Sequence, residues 1–354
     1  MSQQPLTNKP ATPPILSAKP AMRATPEEIA HRIVATLPPG QTLRLLPNQT
    51  MTLPPGQEIP KFKDTYTKDP EHGYCWGEHP EITPEELAQL KAVVVKHAAA
   101  FAHSIKDLPG YNGPCGPFEI MLNTSDSIFT RPRRRSPLET EISDENSQEL
   151  VEMGILVPTP LPAHYASEVT CPNKKDEHGK WVLRRQCGDF RALNKHTIPD
   201  RASMPLPDDL FNLASKCKFF SKLDLRSGFH QLPVHPRDQP KTSIWWRDSL
   251  WMHTRMPFGL MNAPAAFQRV VTAALMAGGA HGFCRVYIDD LVVFSNSMEA
   301  HLSHIDIVLT ILTGVQLKAH PGKSIFGCRG MEYLGHYISS DGLSPVEAKT
   351  QAFK

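Results

Sequence analysis

The sequence predicts an α+β fold: an antiparallel sheet flanked by helices on one side. Three observations predict it. In Val286–Phe294, two short runs of Val, Ile, Tyr and Phe surround Asp289 and Asp290, so both flanks read as strands and the acids fall at the turn of a tight hairpin. Phe219–Asp224 is another strand-like run, ending in a single acid. Two stretches with helical apolar spacing, 264–276 and 296–312, lie on either side of the Asp hairpin.

Taken in order, residues 1–80 hold 14 of the 34 prolines and read as an extended or disordered linker, because proline fixes φ and removes a donor. One short helix is expected there, Thr25 to Thr36, with a cap, a first-turn proline and first-turn acids in the preferred order. A clearer helix starts at Thr83-Pro84-Glu85-Glu86 and runs through Leu87, Leu90 and Val94 towards Phe101, making 81–115 a helical connector. The main domain is expected over 116–354. Ser136 to Met153 reads as an amphipathic helix ending at Gly154. Ala166 to Phe190 reads as a hairpin with a polar turn at Asp176-Glu177-His178-Gly179. Ala265, Phe267, Val270 and Ala274 stand at buried positions of the 264–276 helix. The next helix is expected to start at Asn296, with Glu299 three residues on and Leu302, Ile305, Leu309 and Leu312 on one face.

Composition sets looser bounds. A net charge of +2 over 354 residues says little about nucleic acid, whereas Arg131-Pro132-Arg133-Arg134-Arg135 and the basic residues from Lys174 to Arg185 are local candidates for phosphate contact. Seven cysteines without a C-x-x-C pair argue against a disulfide framework and a zinc knuckle, and fit reduced intracellular thiols. None of the sixteen histidines has convincing metal-ligand spacing. The sequence shows neither a signal-peptide core nor an apolar run of about twenty residues, so neither secretion nor membrane spanning is expected. The expected location is intracellular, either a cytoplasmic particle or the nucleus.

The Asp hairpin carries the chemistry. Like charges side by side repel, and holding both ionised at one point calls for a cation. Mg²⁺ takes one or two carboxylates and leaves positions for substrate phosphates. Two-metal in-line displacement at phosphorus needs two such ions, roughly 3.5–4 Å apart, anchored by carboxylates on rigid elements. Asp224 with Asp289 and Asp290 matches that need.

Between the acidic sites lies Arg255-Met256-Pro257-Phe258-Gly259-Leu260-Met261-Asn262-Ala263-Pro264-Ala265-Ala266-Phe267-Gln268, and after them Glu332-Tyr333-Leu334-Gly335-His336. In this order the set resembles the reverse transcriptase of gypsy-type LTR retrotransposons, relatives of the retroviral polymerases, from near Ile82 to the end. The resemblance implies a right-hand polymerase with fingers and an antiparallel palm sheet. It implies RNA-directed DNA polymerase activity on a primed RNA or DNA template with deoxyribonucleoside triphosphates. Asp224 and Asp289 become the principal ligands of two Mg²⁺ ions, with Mn²⁺ as a substitute. Asp290 completes the cluster, and the Leu225 carbonyl adds an oxygen. Phe229 becomes the aromatic that excludes a ribose 2′-hydroxyl, while Phe258 and Gly259 line the nucleotide pocket. Ser227 and Gly228 offer backbone N–H groups to the triphosphate. Lys174 and Arg185 match the family's phosphate-binding fingers positions. The family usually has Trp directly before that Arg, whereas here Val182, Leu183 and Arg184 separate Trp181 from Arg185. Arg184 and Lys175 therefore stay open as alternatives. Asp189, Phe190 and Arg191 match a family strand and read as scaffold. Tyr333, Leu334, Gly335 and His336 resemble the primer grip.

The chain stops at Lys354, where the family would begin its thumb, so fingers and palm without a thumb are expected. RNase H and integrase are expected in the rest of the Pol polyprotein. The alternative is a non-catalytic nucleic-acid-binding remnant that keeps the fold. A metal-dependent nuclease or RNA polymerase on the same carboxylates is a further rival; Phe229 speaks against the latter.

Overall fold

Alternating apolar residues in the runs ending at Asp224 and starting at Asp290 pair as adjacent strands, with Asp224 directly opposite Asp290. A computed structural model of the chain describes residues 66–175, 181–183, 186–201, 207–214, 217–340 and 342–345, which belong to one unit, Lys63–Lys354. Its centre is a six-stranded sheet made of β1 (Tyr66–Lys68), β2 (Cys75–Gly77), β3 (Phe219–Asp224), β4 (Cys284–Tyr287), β5 (Asp290–Ser295) and β6 (Ile325–Cys328). The spatial order is β1-β2-β6-β3-β5-β4. Every junction is antiparallel except β2–β6, which is parallel with Cys75 beside Ile325.

Alternation along β5 sends Leu291 and Val293 to one face and Val292 and Phe294 to the other, and both faces are buried. Helices α1 (Pro84–Lys96), α2 (Pro137–Glu152), α3 (Arg191–His196), α4 (Pro207–Ala214), α5 (Ala263–Ala277) and α6 (Met298–Gly314) follow in chain order. Leu90 of α1, Phe267 of α5 and Leu309 of α6 share the larger core with Leu223, Leu291 and Phe326. The other face packs Phe220, Val292 and Phe294 against Phe211 of α4 and against Tyr333 and Ile338. Those last two belong to a separate three-stranded antiparallel sheet, Gly330–Tyr333, His336–Ser339 and Gly342–Pro345.

Capping explains the helix starts. Thr83 and Ser136 each form a capping box with the Glu three residues on. The last helix starts one residue later than expected: the cap is Ser297 rather than Asn296, and it is extended and accepts from the Ala300 N–H. The expected hairpin of Ala166–Phe190 forms in two rungs, Glu168–Thr170 with Cys187–Asp189 and Asn173–Lys175 with Trp181–Leu183. Its turn lies outside the described residues, as does the expected helix Thr25–Thr36. Arg135 is not a free phosphate ligand. It is turned inward, 3.4 Å from the buried Glu168 carboxylate and donating to the Trp245 carbonyl.

One boundary needs correction. The expected linker 1–80 contains β1 and β2, and Tyr74, Cys75 and Trp76 are buried. Likewise the expected connector supplies Leu90, Val94 and Phe101 to the larger core under the central sheet. The sheet needs both segments to cover β6, so the fold begins at least as early as Tyr66 rather than near Gly116. Among the described residues no helix is long and apolar enough to cross a membrane.

Candidate active site

Two elements bring the acids together. β3 ends at Asp224, and the next residue, Leu225, donates its N–H to the Asp289 carbonyl at 2.8 Å. The β4–β5 turn is only Ile288 and Asp289, because Tyr287 pairs with Asp290. Ile288 has φ 57°, a left-handed conformation that costs a β-branched residue about 1–3 kcal/mol. Gln268 of α5 holds it: its side-chain oxygen accepts from the Ile288 N–H at 2.7 Å, and its amide donates to the Val286 carbonyl at 2.9 Å. Replacing Gln268 with Leu leaves that strained amide unpaired. The expected result is a loss of about 1–3 kcal/mol in thermal unfolding, and an unchanged stability would show that the turn holds itself.

Asp224 and Asp289 line one cleft of about 410 Å³. Burial pushes both carboxyls above the ordinary carboxylate range. Lys323, at 3.6 Å, opposes this for Asp224, while the neighbouring acids add to it. Asp290 does not line the cleft; its carboxylate lies 3.0 Å from Lys222 Nζ. Among the described residues no three Asp, Glu, His or Cys side chains converge closely enough to hold an ion as they stand. The donor chemistry nevertheless suits a hard divalent cation: two half-buried carboxylates with raised proton affinity, which a cation would relieve.

The rest of the cleft is built by close packing. Ser227 is left-handed at φ 46°, which turns the chain into Gly228 and Phe229. A Cβ on Gly228 would lie 2.9 Å from the Phe267 ring and 3.4 Å from Asp289 Cβ, so only glycine lets this turn approach the Asp hairpin. The Phe229 ring sits 5.2 Å from Phe258 and 5.8 Å from Phe267, lining the cleft. Gly259 has φ 103°, and its carbonyl accepts from Asn194 of α3, whose side-chain oxygen takes the Met261 N–H.

Tyr333-Leu334-Gly335-His336 forms a two-residue hairpin turn with φ 50° at Leu334 and 78° at Gly335. Tyr333 is fully buried and donates its hydroxyl to the Asp290 carbonyl at 3.0 Å. Burial, then the Asp290 charge, raises its proton affinity. The His336 ring packs 4.9 Å from Phe211.

Residues 173–338 match the family of reverse transcriptases (RNA-dependent DNA polymerases). The chain carries a reverse transcriptase domain of the gypsy type. It is 31% identical over 275 residues to the retrovirus-related Pol polyprotein from transposon gypsy of Drosophila melanogaster, covering 77% of this chain and 26% of that protein. To the corresponding polyprotein from transposon 297 of the same organism it is 36% identical over 213 residues, covering 60% of this chain and 20% of the relative. The chain thus spans about a fifth to a quarter of the length of these relatives. The foamy viral protease-reverse transcriptase, solved in complex with double-stranded DNA, superposes with a TM-score of 0.68 at 23% identity, covering 77% of this chain and 46% of that one. That likeness shows the fold: fingers and palm.

Not every expected residue of the reverse transcriptase domain falls on the described cleft. Lys174 stands in a strand opposite Val182, and Arg184 and Arg185 lie outside the described residues. Asp189 and Arg191 pair with each other at 2.6 Å and Phe190 is buried, as scaffold residues would be. Sequence reasoning assigned nothing to Gln268, Asn194, Lys222 or Lys323. Lys222 alone left a usable signal, because it stands two residues before Asp224 and so shares its face of the strand.

Proposed function

We propose that this chain is the polymerase part of a gypsy-type Pol protein, transferring nucleotides to a primer 3′-hydroxyl under the direction of an RNA template. The observation that carries this reading is the convergence of Asp224 and Asp289 on one cleft, which Phe229 also lines. A DNA strand as template, deoxyribonucleoside triphosphates as substrates, and RNase H and integrase elsewhere in the polyprotein belong to the same proposal.

The carboxylates of Asp224 and Asp289, with the Leu225 carbonyl, would hold two Mg²⁺ or Mn²⁺ ions. Bound there, the ions supply charge neutralisation for the attacking and leaving oxygens. The chain's own residues do the rest. Gly228 and the Leu225–Asp289 hydrogen bond fix the distance between the two acid-bearing turns. Gln268 keeps the Asp289 turn in its strained form, so little reorganisation is required at the moment of reaction. Phe229, braced by Phe258 and Phe267, would stand against the sugar.

Primer extension on poly(rA) with a DNA primer, in Mg²⁺ or Mn²⁺, tests the activity. A chain that binds the primed template but adds no nucleotide would instead be a binding module. Sugar choice tests Phe229. Phe229→Ala opens space for a 2′-hydroxyl, and ribonucleotide use relative to deoxyribonucleotide is expected to rise by about 10- to 200-fold, the range one lost packing contact confers. An unchanged ratio with activity retained would return Phe229 to the ordinary core.

A further inference from the structure

The hairpin that carries Tyr333 shares no backbone ladder with the sheet that carries the acids; the two are separate sheets. Arg329 alone links β6 to the Tyr333 strand, and beyond that link side chains hold the two sheets together. Besides the apolar packing of Phe220, Val292 and Phe294 on Tyr333 and Ile338, Asp290 gives them a polar contact through both of its oxygen-bearing groups. Its carbonyl accepts from the Tyr333 hydroxyl at 3.0 Å. Its carboxylate lies 3.0 Å from Lys222 Nζ, and that same ammonium stands 5.8 Å from the centre of the Tyr333 ring. A lysine at that distance is attracted by the ring's negative face. The Lys222 and Asp290 side chains are each only 24% exposed, so water screens the pair incompletely.

We propose that Lys222, Asp290 and Tyr333 form a three-residue coupling that fixes the primer-holding hairpin against the catalytic turn. This makes Lys222 and Tyr333 positioning residues, and it gives Asp290 a task that needs no contact with substrate. Asp290 stands directly across the ladder from Asp224, so any shift of the Tyr333 hairpin is transmitted to the strand pair that presents the acids. The role rests on the polymerase reading above, because the hairpin holds a primer only in a polymerase. The geometry of the coupling is independent of it.

The test uses the full chain with Tyr333→Phe, which keeps the ring and loses the hydroxyl, and Lys222→Met, which keeps the stem and loses the charge. Each is expected to lower kcat about tenfold with the Kd for primer–template unchanged, since misplacement by a fraction of an ångström acts on reaction geometry rather than on phosphate contacts. The double variant is expected to lose no more than either single one, because both break the same unit. Lys222→Arg is expected to restore at least half the loss on a logarithmic scale. Hydrogen exchange supplies a readout that needs no turnover: amides of Gly330–Ser339 exchange faster in both single variants, while those of β4 and β5 do not. Losses that multiply to about a hundredfold in the double variant, or exchange in Gly330–Ser339 that matches the unaltered chain, would overturn the coupling. An unaltered chain that adds no nucleotide defeats the polymerase reading instead, and the exchange arm still decides the coupling.

Discussion

Asp289→Asn is expected to lower primer extension by about three orders of magnitude, the rate equivalent of losing several kcal/mol of charge stabilisation. The amide keeps the shape of the carboxylate but not its charge. The turn should survive, because the Leu225 bond and the Gln268 clamp both engage backbone atoms of the turn. Heat resistance provides the second reading. Burial raises the Asp289 carboxyl above its unfolded value, so its charged form opposes folding. That cost is absent at low pH, where the group is protonated in both states. It appears as pH rises through the ordinary carboxylate range and is complete above the raised folded value. In chelated buffer at neutral pH, Asp289→Asn is therefore expected to melt at or above the unaltered chain, with the difference vanishing on acidification. Residual extension within tenfold of the unaltered chain would falsify the assignment.

Gly259→Ala is expected to do comparable damage by a different route. A Cβ there would lie 2.3 Å from the Gly188 carbonyl oxygen, a backbone atom that has no rotamer to change. The residue also needs φ 103°, which alanine reaches only with strain. Together these predict a loss of about 3 kcal/mol or more in stability, with Phe258 displaced and the KM for nucleotide raised. Thermal unfolding and steady-state kinetics check both. Gly282→Ala is the control, since nothing lies within 4 Å of its Cβ position. If Gly259→Ala melts and binds nucleotide like the control, the close packing of fingers on palm has no functional weight.

Much of the palm was legible because its strands are long enough to show apolar alternation and end at acids. Asp224 and Asp289 are read from the chain in the frame that those strands set, Phe229 only through the family resemblance, and all three line one cleft. Gln268 was not legible: a glutamine in an amphipathic helix looks the same whether it faces water or clamps a turn about twenty residues away. The inward turn of Arg135 was hidden for a similar reason. A run of arginines reads as a solvated face until a buried Glu168 is brought beside it from across the fingers. β2 was missed because three residues, Cys75-Trp76-Gly77, cannot show a period, and the surrounding prolines argue against a strand. Its burial comes from a partner that local sequence does not reveal.

That partner makes folding order a matter of chain synthesis. β2 pairs in parallel with β6, and the Cys75 thiol reaches the Gly322 carbonyl 247 residues further on. Closing so long a loop costs only slowly increasing entropy, but the contact cannot begin until the distant strand exists. As the chain leaves the ribosome, Phe326, which covers one side of Tyr74 and Trp76, emerges only after the whole stretch between them has been made. At about 5–20 residues per second, that leaves these aromatics exposed for tens of seconds. The helices and the Asp hairpin can form within that interval from nearer contacts, so the sheet's far edge closes last. The catalytic strands thus assemble before their own edge is sealed, and a nascent chain held by a chaperone should be bound through residues 66–77.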